Sequence, residues 1–303
     1  MLKRILWFVA TNIAFMITIS IVMFVINLFF PNVLNASTLN SNTNLSSIFI
    51  YSGIVGFTSA FLSLCFSKQI AKWTTKTQII QENSMNPMEN FLFNTVKQQA
   101  GLLGLKMPEV GIYEDDTPNA FATGRSKNSS LVSFSSGLLN RMSQNEIEAV
   151  VAHELSHIKN GDMVTLTLIQ GVVNTFVFAI SRIITNVVRS SDNSYLNNPF
   201  TLFVVNIGLQ IVLSILTTPI VAYFSRIREY NADAGAAKLI GKNKMIAALN
   251  KLELITSKET GILESNSALS ASGINENGEK NMVQELFATH PSIKNRITAL
   301  NNL

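Results

Sequence analysis

The stretch Ser143–Asp162, SQNEIEAVVAHELSHIKNGD, decides how the rest of the chain is read. Ser143 and Glu146 have the S-x-x-E spacing of a capping box, so a helix is expected to start there. Ala149, Val150, Val151 and Leu155 carry it forward, and Gly161 is a natural stop after Lys159 and Asn160. Inside it lies His153-Glu154-Leu155-Ser156-His157. Two imidazoles four residues apart stack on one face, one turn above the other, where a single cation can take both. Glu154 projects about 100° further round the axis, badly placed to be a third ligand but able to reach a water held by the metal. This is the layout of a zinc-dependent hydrolase of peptide bonds. The plainer alternative is a chance HExxH on a polar helix face, with both imidazoles solvated.

Composition places that helix in a membrane protein carrying a soluble part. Charged residues make up 14% of the chain and apolar residues 47%, with a mean hydropathy of +0.28. Soluble domains typically carry about 25% charge. The net charge is +4, and the basic residues gather beside apolar runs: Lys3 and Arg4; Lys68, Lys72 and Lys76; Arg226 and Arg228. That distribution suits anionic lipid headgroups as partners, and nothing in it resembles a nucleic-acid-binding surface. The single cysteine, Cys65, excludes an intrachain disulfide.

Taken in order, the chain opens with the uncharged run Ile5–Phe30, too long for a signal-peptide core and read as a retained transmembrane helix. Asn32–Ser47 is polar and lacks Lys and Arg. Ile48–Phe66 is a second span, followed by the three lysines, so the positive-inside rule puts the N-terminus and everything after Lys68 in the cytoplasm. Thr77–Glu89 reads as a polar connector and Phe91–Leu103 as an amphipathic helix. Pro108–Glu114, Asn119–Gly124 and Ser129–Ser135 read as strands, with a turn at Gly124–Asn128 and a helical turn at Gly137–Arg141. The expected soluble architecture is therefore α+β, a small sheet packed on the helices that carry the site. Asn119, Ala120 and Phe121 begin a strand that is either an ordinary edge or one that pairs with extended substrate.

Beyond Asp162 two apolar runs follow, Met163–Val188 and Phe200–Phe224, expected to form two further transmembrane helices. A hairpin that dips into the bilayer without crossing it is the competing arrangement. The organisation is thus two spans with their loop (1–67), a catalytic part (68–162), a hydrophobic hairpin (163–224) and a second catalytic part (225–303). Ser225–Gly241, SRIREYNADAGAAKLIG, is expected to be helical, with Glu229 and Asp233 on one face. Two His and one Glu form a common catalytic zinc set, which makes Glu229 a candidate third ligand. Asp233, one turn on, can accept the outer N–H of a ligating imidazole. Alternatively Glu229 pairs with Arg226 or Arg228 on a solvated helix. Met245–Thr256 reads as a helix, Ser257–Lys280 as a mobile loop, and Val283–Leu300 closes the chain around Thr289-His290-Pro291-Ser292.

With these motifs in order, the chain resembles the HtpX-type membrane metalloproteases, of the HExxH peptidase family that includes the CAAX prenyl protease. The resemblance extends over nearly the whole length. It implies four transmembrane helices around a cytoplasmic zincin-like domain and one zinc ion per chain. By resemblance, His153, His157 and Glu229 are the zinc ligands, Glu154 is the general base, and Asp233 lies behind the ligands. His290 is implied to help stabilise the oxyanion, against the alternative of a capped turn ahead of the last helix. Asn119, Ala120 and Phe121 are implied to carry substrate backbone. The implied function is zinc-dependent endoproteolysis of membrane or misfolded proteins, in quality control at a bacterial inner membrane. Two competitors are an intramembrane protease and a non-enzymatic scaffold or metal-binding adaptor. The polar residues before His153 (Gln144, Asn145, Glu146, Glu148) argue against the first, and retention of Glu154 against the second.

Overall fold

Helix propensity and turn chemistry set the local structure. The structure, a computed structural model, describes residues 45–189, 198–266, 288 and 290–303, and positions 21, 24 and 28 singly. In chain order these form α1 (Leu45–Thr75), β1 (Gln78–Ile79), α2 (Pro87–Leu102), β2 (Glu109–Tyr113), β3 (Ala120–Ser126), β4 (Ser129–Ser135), α3 (Ser136–Arg141) and α4 (Gln144–Asn160). The apolar α5 (Asp162–Arg189) and α6 (Pro199–Ile240) follow, then α7 (Lys242–Asn266) and α8 (Ile293–Asn301). The architecture is a mostly helical α+β one around a small mixed sheet. The expected span Ile5–Phe30 falls outside the described residues.

The described residues form two compact units, one within 1–63 and 167–218 and the other within 64–166 and 219–303. Among the described residues three helices, α1, α5 and α6, are long and apolar enough to cross a membrane. Within the first unit α1 and α5 approach closely because Gly56 presents no side chain. A Cβ there would lie 2.8 Å from the backbone nitrogen of Thr175 and 3.0 Å from the carbonyl of Gly171. The Arg182 guanidinium sits over the Tyr51 ring at 5.1 Å.

The second unit carries the sheet, ordered β1-β2-β4-β3, with β2 and β4 parallel and the other pairs antiparallel. Val110, Val132 and Phe134 line one face of it. They join Leu92 and Val96 of α2, Ile147, Val151 and Leu155 of α4, and Leu249 of α7 in a single buried core. This core holds α4 against β3, α2 and α7. Edge strand β3 therefore runs beside the helix bearing His153 and His157.

Several expectations need correction. The connector Thr77–Glu89 contains β1, which pairs with β2; two residues are too few to show a period. Helix α2 begins at Pro87, not Phe91, because the Asn86 side chain accepts the Met88 N–H at 3.0 Å and proline suits the first turn. Strand β3 continues through a bulge to Ser126, leaving a shorter turn to β4. The run Phe200–Phe224 and the helix Ser225–Gly241 form one 42-residue helix that continues through Pro219. The supposed mobile loop Ser257–Lys280 is helical as far as Asn266, since Lys, Glu and Leu outweigh one Gly and the serines; residues 267–280 fall outside the described residues.

Gly56→Val is expected to destabilise the detergent-purified protein by about 1–3 kcal/mol through overpacking. Gly53→Val should be tolerated, because its Cβ would meet nothing nearer than a Thr175 methyl at 3.8 Å. Thermal unfolding of the two variants side by side checks this.

Candidate active site

Helix α4 begins and ends as its sequence dictates. Ser143 N–H donates to the Glu146 carboxylate at 2.7 Å, completing the capping box. Gly161 takes the left-handed conformation (φ 76°), and its N–H caps the carbonyls of His157 and Ile158. The helix is buried from Ala149 to Ile158, which brings His153, Glu154 and His157 inside with it. Helix α6 comes close because Gly235 faces Ser156; a Cβ there would lie 2.7 Å from the Ser156 Oγ. That small contact aligns α6 so that Glu229 and Asp233 also point inward, at 3% and 1% exposure.

The result is a buried set of three donors. His153 Nε2 and His157 Nε2 are 3.1 Å apart. Glu229 Oε1 is 3.3 Å from His157 Nε2, and Oε2 is 3.6 Å from His153 Nε2. An ion bound tetrahedrally at about 2.0–2.2 Å holds its ligands about 3.3–3.6 Å apart, so this triangle already has the right size. His153, His157 and Glu229 can hold one metal ion.

The outer ring nitrogens fix the tautomers. His153 Nδ1–H donates to Asp233 Oδ1 at 2.9 Å, and His157 Nδ1–H donates to Asp162 Oδ2 at 2.6 Å. Both Nε2 lone pairs are thereby left for a cation. Arg296 donates from Nε and Nη2 to the two oxygens of Asp233, at 2.7 and 2.6 Å, and its Nη1 lies 3.7 Å from Glu229 Oε2. His290 is exposed and places Nδ1 3.1 Å from the same Glu229 oxygen. Glu154 is buried and near enough for its charge to favour the cationic forms of His157 and Arg296.

These carboxylates make the pocket favour positive charge. Burial pushes the His157 imidazole down, but Asp162 and Glu229 more than offset it, and its pKa rises from 6.5 to about 10. Burial likewise opposes protonation of His153, and Asp233 with Glu229 reverses the effect. A site that holds a proton this firmly has the charge balance to hold a metal ion instead.

Of the residues singled out in the sequence, His153, His157, Glu229, Asp233 and His290 come together, with Glu154 beside them. Asn119 is exposed, and its backbone pairs with Ser135, whose N–H donates to Asn119 O at 2.9 Å. Ala120 and Ala122 pack toward the core, whereas Phe121 sits against Tyr113 with ring centroids 5.7 Å apart. Sequence reasoning missed Asp162 and Arg296. Asp162 closes the quoted stretch, five residues past His157, and the left-handed turn at Gly161 brings its carboxylate to the ring. Arg296 had no local signal, being 63 residues from Asp233.

Apolar spanning helices together with a buried two-His, one-Glu donor set define a membrane metallopeptidase. The sequence profile of peptidase family M48 matches residues 89–303, and the chain belongs to that family. It is 45% identical over 303 residues, covering 100% of both chains, to the Protease HtpX homolog of Neisseria meningitidis serogroup B (strain ATCC BAA-335 / MC58). It is 48% identical over 304 residues, covering 99% of each, to Protease HtpX of Shewanella halifaxensis (strain HAW-EB4). Among solved structures, S. mikatae Ste24p shares the fold, with a TM-score of 0.63 at 19% identity. That match covers 96% of this chain and 64% of the other. The resemblance expected from the motifs is met, and the chain is a membrane metalloprotease.

Gly235→Ala is expected to push α6 away from α4 and lower bound metal by elemental analysis, and adding Ser156→Gly should recover it. Titration of the metal-free protein should show a second effect. A pKa raised in the folded state contributes stability below the unfolded value of 6.5 and loses it as pH rises toward about 10. Melting temperatures of the metal-free protein should therefore fall across that window, with metal-loaded protein affected less.

Proposed function

We propose that this chain is a zinc-dependent endopeptidase that cuts membrane proteins, misfolded ones included, on the cytoplasmic side of a bacterial inner membrane. The observation that carries this reading is the triangle of His153, His157 and Glu229, with donor spacings of 3.1, 3.3 and 3.6 Å, beside the buried Glu154. Two neutral imidazoles and one carboxylate suit zinc by donor type, leaving a position open. When bound, zinc supplies Lewis acidity and brings the pKa of its water to about 7.

The remaining chemistry falls to the chain itself. Glu154 takes a proton from the attacking water and passes it to the leaving amine nitrogen. Asp233 holds the His153 ring in place, and Arg296 holds Asp233. His290, next to Glu229, is placed to donate a hydrogen bond to the oxygen that becomes negative in the transition state.

Edge strand β3 is the proposed seat of the substrate backbone. Because the Asn119 carbonyl faces β4, antiparallel alternation turns the N–H and C=O groups of Ala120 and Ala122 outward. An extended peptide can pair there by β-augmentation, alongside Asn119 and Phe121. Lys68, Lys72 and Lys76 belong to the same compact unit as the site. The positive-inside rule applied to them supports a cytoplasmic site, in a topology of four spans with residues 163–224 as a transmembrane hairpin.

Glu154→Gln is expected to retain zinc yet lose at least about a hundredfold in cleavage of casein or a model membrane protein, in line with removal of a general base. A chelator should abolish wild-type cleavage, and added zinc should restore it. Wild-type rates from Glu154→Gln would overturn the assignment of the base.

A further inference from the structure

We propose that Asp162, the first residue of the apolar helix α5, is a positioning residue of the metal centre that orients His157 and strengthens it as a ligand. This rests on the ligand set proposed above. An acidic residue in the first turn of a helix is commonly there for the helix dipole alone. The geometry points elsewhere. Asp162 is buried, and Gly161 turns the chain so that the carboxylate folds back over α4. Among the described residues, the hydrogen bond it accepts comes from His157 Nδ1, at 2.6 Å. The other ring nitrogen of His157 faces His153 Nε2 and Glu229. Asp162 thus fixes both the tautomer and the tilt of the ring.

The two imidazoles are backed unequally. Asp233, behind His153, shares its charge with Arg296 through two short hydrogen bonds. Asp162, behind His157, has Arg228 nearby, but the closest approach of that guanidinium is 3.9 Å, too long for a hydrogen bond. The Nε and Nη1 atoms of Arg228 are buried without a hydrogen-bond partner among the described residues. Asp162 consequently delivers more of its negative charge to its imidazole than Asp233 does, making His157 the more strongly donating ring. The carboxylate comes from the first residue of an apolar helix, so the turn at Gly161 ties that helix start to the metal ligand.

The experiment uses the full chain in detergent, with zinc affinity measured by competition against a chromophoric chelator. Asp162→Asn and Asp162→Ser are expected to weaken zinc binding by about 10–100-fold, the usual cost of losing such a partner. Asp162→Glu should recover part of the loss. A role confined to the helix dipole involves no ring nitrogen of His157 and predicts unchanged zinc affinity in both variants, and that result would overturn the proposal. A second readout needs no substitution. The chain has 3 histidines, and nitrogen-15 labelling of zinc-loaded wild type should show two slowly exchanging, downfield Nδ1 protons. One such proton, with His157 lacking it, would overturn the proposal as well. Failure of wild type to bind zinc would sink the ligand set itself, whereas tight wild-type binding unaffected by Asp162→Asn would sink only the role of Asp162.

Discussion

A carboxylate buried at 3% exposure cannot stay ionised without positive charge close by, and Glu229 meets this requirement by facing, across a gap of 3.3–3.6 Å, two imidazoles that the surrounding carboxylates bias toward their protonated forms when no metal is bound. Much of the second unit follows from that demand. The imidazoles need acceptors on their outer nitrogens, which Asp233 and Asp162 supply. Asp233 in turn needs a donor, and Arg296 provides a two-pronged one. Each group is satisfied by the next, as a buried polar network must be if it is not to cost more than an apolar core.

The same network explains why four separate stretches of chain converge. Helix α4 brings the imidazoles, the start of α5 brings Asp162, α6 brings Glu229 and Asp233, and α8 brings Arg296. The apolar core of α2, α4, α7 and the sheet holds the first of these, and the close contact of Gly235 with Ser156 admits the third. Packing sets the distances to within a few tenths of an ångström, and metal chemistry requires that tolerance. The edge strand β3 runs beside α4 because the same core joins them.

Much of this was legible from residues close together in the chain. The capping box at Ser143 and Glu146, the left-handed stop at Gly161 and the i, i+4 histidines all act within one or two turns of helix, where spacing alone fixes geometry. Apolar runs likewise announce α1, α5 and α6, because bilayer thickness demands their length. Short or unpatterned features stayed hidden: the two residues of β1, the uninterrupted passage of α6 through Pro219, and the helical start of the loop after Thr256.

Residue spacing alone establishes that one helix carries a metal-binding pair with a carboxylate at its side, and that apolar helices lie before and after it in the chain. Those properties depend on the 3.6-residue period and on hydrophobicity, both local. Which distant groups meet the imidazoles depends on how the helices pack. Arg296 lies 143 residues from His153, whereas Asp162, five residues past His157, meets it across the left-handed turn at Gly161. Such partnerships depend on helix packing and burial, where an unpaired charge is costly, and no spacing along the chain encodes them.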